Sequence, residues 1–349
     1  MCIIMKNYLA GSEKMNYQEE KGAARRYKQN YLDGFEKIIK ERLEKYEKQR
    51  DDFTRNIFTD SEKCRNELKN FLGWPLTDEQ KSPLPKASFE LLSVENGYKT
   101  YRMQFDILNG ITMTGLLFKH DGDDKKPLVL VQHGGLGTPE LISGIYGDTC
   151  NYNNMLKRVF EKGVHVFAPQ LLLWSDEYDV PFTRSKIDAR LKMVGSSVTA
   201  IEIFGLSRIL DYFENDDLVS SFGMVGLSYG GFYTLYTAAL DTRIRSAISC
   251  SFFNKRDAAC FVDWTWQNFS EKFDDAEIAC LTYPRKLHIQ IGNNDDLFDC
   301  KYGIQSFERL KKLCKDVGTD WVTLQVFDGT HEFCLDDAPI EKLVKDLTV

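Results

Sequence analysis

Apolar residues in the first part of the chain recur at helical spacing. Between residues 13 and about 72 the sequence is rich in Glu, Lys, Arg and Gln, and Leu32, Phe35, Ile38, Ile39, Leu43 and Tyr46 fall on one face, which predicts amphipathic helix. Phe53, Ile57, Phe58, Leu68, Phe71 and Leu72 extend the pattern. The segment has too little apolar content to stand alone, so it is expected to pack on the rest of the chain or on another subunit. Gly73-Trp74-Pro75 and Ser82-Pro83-Leu84-Pro85 end the helices and read as a linker.

From about residue 88 the pattern becomes short β-rich runs separated by helical ones. Runs 98–108 and 111–119 flank Asn109-Gly110, a strong hairpin signal. Runs that read as buried strands follow at 128–132, 164–168, 224–227, 244–249, 287–291 and 322–327, with helical patterns at 198–213, 232–240, 304–314 and 340–347. A hairpin followed by alternating strands and helices predicts an α/β fold with a mostly parallel sheet covered on both faces. The expected organisation is an N-terminal helical extension and linker over residues 1–88 and a catalytic domain over 89–349.

Composition narrows the function. With 43% hydrophobic and 28% charged residues over 349 positions, the chain is an ordered globular protein. A net charge of -7 argues against nucleic acid and against a polyanionic membrane surface as partners. No run approaches the length of a membrane span. The nine cysteines contain no C-x-x-C pair, so a zinc ribbon is not indicated, and an odd, scattered set implies reduced thiols and a cytoplasmic location. The apolar stretch within residues 1–6 is too short for a signal-peptide core.

Candidate chemistry begins at Gly226-Leu227-Ser228-Tyr229-Gly230-Gly231, which runs from an apolar strand straight into a helix. A serine at such a turn adopts a strained backbone conformation, and the flanking glycines remove clashes that side chains would cause. Ser228 is therefore the candidate nucleophile. The Tyr229 N–H, opening the helix, is a candidate oxyanion donor.

Serine needs a base at neutral pH. Of five histidines only His288 and His331 follow Ser228. His288 lies inside a strand, whereas His331 sits in a loop between a strand and the last helix, so His331 is preferred. His133 ends a strand and is read as a structural support for the loop after it. The acid is sought in Gly292-Asn293-Asn294-Asp295-Asp296, a loop after a strand. Asp295 and Asp296 both qualify by position, and Asp295 is favoured. Gln132-His133-Gly134-Gly135-Leu136-Gly137 ends another strand, and Gly135, or alternatively Leu136, is the second oxyanion donor. Two aromatic-rich segments follow strands, 171–182 and 252–273, and from them Trp174, Trp264 and Trp266 are candidate substrate-pocket residues.

These motifs, with Tyr283-Pro284-Arg285 before a strand, resemble the α/β-hydrolase superfamily over residues 98–349, and within it the dienelactone-hydrolase and acetylxylan-esterase-like group. The resemblance implies an α/β-hydrolase fold and a Ser228, Asp295, His331 triad. The sequence departs from that group in the run Ala168-Pro169-Gln170-Leu171 and in its N-terminal helical segment.

The expected activity is carboxylic ester hydrolysis through an acyl-serine intermediate, with no metal or organic cofactor. Substrates would be small-molecule esters of acetyl or other short acyl groups, acetylated sugars by analogy, or equally short lipid or aryl esters. Alternatives are a prolyl-oligopeptidase-like peptidase or amidase and an inert hydrolase-fold scaffold. Homo-oligomerisation through the N-terminal helices is a further expectation.

Overall fold

The computed structural model describes residues 17–74, 84–108, 110–173 and 182–348. Two helices come first, α1 (Arg25–Thr59) and α2 (Ser61–Leu72). The sheet is built from β1 (Ala87–Glu95), β2 (Tyr98–Leu108), β3 (Ile111–His120), β4 (Lys126–Gln132), β5 (His165–Pro169), β6 (Val219–Leu227), β7 (Ile244–Cys250), β8 (Lys286–Gly292) and β9 (Val322–Phe327). The remaining helices are α3 (Pro139–Ile142), α4 (Met155–Phe160), α5 (Arg184–Met193), α6 (Val198–Phe213), α7 (Tyr229–Leu240), α8 (Asp275–Cys280), α9 (Cys300–Leu313) and α10 (Ala338–Thr348).

The strands form one sheet in the order β1-β2-β3-β5-β4-β6-β7-β8-β9. The first three pair antiparallel, as does β3 with β5, and every other pair is parallel. This is the expected architecture. Pairing of Leu108 with Ile111 closes the β2–β3 hairpin; Asn109 of that turn lies outside the described residues. One apolar layer holds α2, α6, α7, Ile57 and one face of the sheet, and a second lies under α4 and α10. β4, β6, β7 and β8 are buried at nearly every position, on both faces of the sheet, which is why their sequences show no alternation of apolar and polar residues.

The chain divides into two compact units, Met1–Lys48 and Gln49–Val349. In the first, Tyr31, Leu32, Phe35, Ile38 and Ile39 of α1 are exposed. In the second, Arg50, Thr54 and Ile57 at the end of α1 are buried, as are Cys64, Leu68 and Leu72 of α2.

Strand order positions the chemistry. From β4 the chain passes to β5 on one side and later to β6 on the other, so β4 and β6 flank a crevice at their carboxyl ends. Open α/β sheets bind ligands at such a switch point. Pairing of Gln132 with Gly226 sets the loop after β4 beside the turn after β6. Pairing of Gly292 with Phe327 likewise sets the loops after β8 and β9 side by side, and Asn294 N–H donates to the Gly329 carbonyl at 2.9 Å.

Candidate active site

Ser228 has φ 60° and ψ -121° and caps α7, a left-handed φ that non-glycine residues adopt at a cost of about 1–3 kcal/mol. Close approach enforces it. A Cβ on Gly226 would lie 2.2 Å from the Gly230 carbonyl oxygen, and one on Gly230 would lie 2.1 Å from that of Gln132. The turn can therefore pack against the end of β4 only with glycine at both positions, and the serine hydroxyl is carried into the crevice.

His331 and Asp295 meet across the β8 and β9 loops. His331 Nδ1 lies 2.8 Å from Asp295 Oδ2. The other carboxylate oxygen accepts the N–H groups of Leu297 at 2.8 Å and Phe298 at 3.0 Å, so Asp295 is fixed by its own turn. Asp296, its neighbour, is exposed and does not reach the imidazole. Phe298 stacks on the His331 ring with centroids 5.6 Å apart. With Nδ1–H donated to a carboxylate, the lone pair of the imidazole is left on Nε2.

Ser228, His331, Gly135 and Tyr229 all line one cavity of about 730 Å³. The Gly135 and Leu136 N–H groups make no hydrogen bond among the described residues. Leu136 has φ 58°, which turns the loop over the end of the crevice. Among the candidate pocket residues, Trp264 lines the cavity. Trp266 packs instead on Phe269 at 5.1 Å and Tyr236 at 6.4 Å, against the core. Trp174 lies outside the described residues.

His133 is fully buried and clamps the loop after β4. Its Nε2 accepts the Leu171 N–H at 3.1 Å, which leaves Nδ1–H to donate to the Gly134 carbonyl at 2.9 Å. Burial pushes its pKa down to about 4, so the ring stays neutral and keeps the acceptor that Leu171 needs. His288 lies in the sheet, 2.6 Å from Thr323 Oγ1. His120 is half-buried and stacks on Phe160 with centroids 4.0 Å apart.

Several supporting residues escaped sequence reasoning. Tyr152 OH accepts the Gly134 N–H at 2.8 Å, and Asn151 Nδ2 donates to the His331 carbonyl at 2.8 Å. Asn153 Nδ2 donates to the Phe333 carbonyl at 2.8 Å. The cluster of Asn151, Asn153 and Asn154 in a chain otherwise crossing apolar elements was the available signal. Beneath the turn at Ser228, Tyr229 OH donates to Asp263 at 3.1 Å, and burial raises that phenol's pKa, keeping it a donor. Arg184 joins Asp263 at 2.6 Å to Glu202 at 2.9 Å, and also donates to the Leu172 carbonyl at 2.6 Å. Glu202 accepts the Leu172 N–H at 2.6 Å.

No family model and no curated protein matches the sequence. Solved structures do match. A candidate acetyl xylan esterase of Bacteroides fragilis aligns with TM-score 0.64 and 15% identity, over 78% of this chain and 76% of that one. A glucuronoyl esterase from Solibacter usitatus aligns at 0.58 with 16% identity, covering 81% and 92%. Acetyl Xylan Esterase 1 from Thermoanaerobacterium sp. JW/SL YS485 aligns at 0.55 with 16% identity, covering 77% and 90%. At these identities each likeness is one of fold.

Proposed function

We propose that this chain, an α/β-hydrolase by fold, hydrolyses carboxylic esters through an acyl-serine intermediate, with Ser228 as nucleophile, His331 as base and Asp295 as acid. The observation that carries the reading is the Asp295–His331 bond of 2.8 Å beside a serine in a left-handed turn, with both Ser228 and His331 on one cavity. The esterase activities named for the fold neighbours support it.

Neutral His331 takes the Ser228 proton at Nε2 as Oγ attacks the ester carbonyl carbon. The carbonyl oxygen becomes an oxyanion, met by the amides of Gly135, or Leu136, and Tyr229. His331 then gives its proton to the leaving alcohol as the C–O bond breaks. Water repeats the sequence on the acyl-serine, releasing the acid and restoring the serine. Asp295 holds the imidazole in the Nδ1–H tautomer throughout. Arg184, Asp263 and Glu202 touch no reacting atom; they hold Tyr229 and the loop after β5.

In the Ser228→Ala variant, turnover of p-nitrophenyl esters should fall by roughly a millionfold, and a fluorophosphonate probe should no longer label the protein. Retained hydrolysis in that variant would sink the assignment. These steps are common to acetyl and other acyl esters, so the chemistry alone does not choose among them; the cavity wall does.

A further inference from the structure

The walls of the cavity around Ser228 are apolar. Leu136, Leu141, Tyr146, Phe261, Leu297 and Phe298 line it, and no Lys, Arg, Asp or Glu does among the described residues. Leu136, Tyr146 and Leu297 are about half exposed, at 51%, 55% and 59%, so the apolar surface continues to the mouth. Water-facing apolar surface gathered at one opening marks a binding surface rather than chance exposure. At about 730 Å³ the cavity is in the range that holds a ligand of many heavy atoms, far beyond what an acetyl group fills.

Four of the polar side chains on the wall already make a bond within the chain. Thr138 Oγ1 accepts the Leu141 N–H at 3.1 Å, and the Asn151 amide donates to the His331 carbonyl at 2.8 Å. Tyr152 OH accepts from Gly134 at 2.8 Å, and Tyr229 OH is given to Asp263 at 3.1 Å. A sugar ring drawn into this space would give up water at several hydroxyls and meet mostly carbon. Burying polar groups without partners is costly. A carboxylate on the substrate would find no Lys or Arg on the wall among the described residues.

We infer that the ester taken here carries a neutral, apolar substituent, a medium-length alkyl chain or an aryl group, rather than a carbohydrate. The inference rests on the serine-hydrolase reading above and names its substrate class. Each methylene moved from water to the wall should raise kcat/KM roughly fourfold until the cavity is filled.

The test uses the full-length protein with p-nitrophenyl acetate, butyrate, hexanoate and octanoate, and acetylated xylo-oligosaccharides. Active serine is counted by fluorophosphonate titration. The expected result is a kcat/KM that climbs at least tenfold from acetate to hexanoate, with the acetylated sugars the poorest substrates. Labelled protein that prefers acetate or acetylated sugars overturns the substrate class while leaving the chemistry standing. Protein that neither labels nor turns over any ester overturns both. Leu297→Gln, at an exposed position, should cut the hexanoate-to-acetate ratio several-fold; an unchanged ratio counts against this wall as the chain-length sensor.

Discussion

Asp295 differs from its neighbour Asp296 by one position in a turn, and that position decides what each carboxylate does. Asp295 Oδ1 takes two amides of its own turn while Oδ2 faces His331. Asp295→Asn would keep the amide bonds but offer an N–H or a neutral oxygen to the imidazole, favouring the wrong tautomer. We expect kcat to fall by roughly ten-thousandfold with KM little changed, and Asp296→Asn to stay close to wild type. Steady-state kinetics on one ester check this, and equal losses in the two variants would reverse the assignment. Ser228 and His331 stood out in the sequence as candidates because glycine spacing marks one and chain order nearly forces the other, and they line one cavity. The choice between two adjacent aspartates was not legible in the sequence, since it depends on which way a turn folds. Tyr152 and Asp263 were illegible for another reason: their partners Gly134 and Tyr229 lie 18 and 34 residues away.

At the level of elements, strong periodicity was readable and weak or short elements were not. α6 spans the predicted 198–213, and α7, α9 and α10 differ from expectation only at their ends. β1 went unassigned because it is an edge strand with Phe89, Leu91 and Val94 exposed, so it shows no inward and outward alternation. α3, α4 and α8, of 4, 6 and 6 residues, are too short for a period to emerge. α5 was missed because it buries only Arg184 and Asp188, both charged. That first residue ties α5 to α6 and to the segment around Asp263 through buried ion pairs. Arg184→Met would leave Glu202 and Asp263 buried without their cation. The expected loss is about 3–5 kcal/mol of stability, read from the urea midpoint. A loss under about 1 kcal/mol would mean that water reaches the carboxylates once the arginine is gone.

For the whole molecule, the mostly parallel sheet followed from alternating strand and helix patterns and the hairpin from Asn109-Gly110, whereas the order of the strands, with β5 inserted between β3 and β4, was not predicted. The division of the chain after Lys48 left no mark in the sequence, because helical spacing continues unbroken across it. Stability of the whole should depend on pH through His133. Its folded pKa is lowered to about 4 against an ordinary 6.5. Between those values the unfolded chain binds a proton that the folded one refuses, so stability is complete above about pH 6.5 and declines as pH falls toward 4. The decline from this group is about 1.4 kcal/mol per pH unit. In His133→Gln, which can still accept from Leu171, the stability curve should be shallower by one proton over that window. Parallel curves for the two proteins would show that His133 is not held neutral.

One arrangement described above bears on how such a protein changes over generations. The side chains of Leu136, Tyr146, Phe261 and Leu297 meet the cavity from loops. The polar bonds that hold Asp295 and His331 are made by other atoms, chiefly the backbone and Asn151. Drift at the four wall positions can therefore alter what is accepted while the reacting groups keep their places. If the proposed chemistry holds, a gene carrying this layout can explore new substrates by single substitutions, each leaving the reacting groups intact for selection to act on.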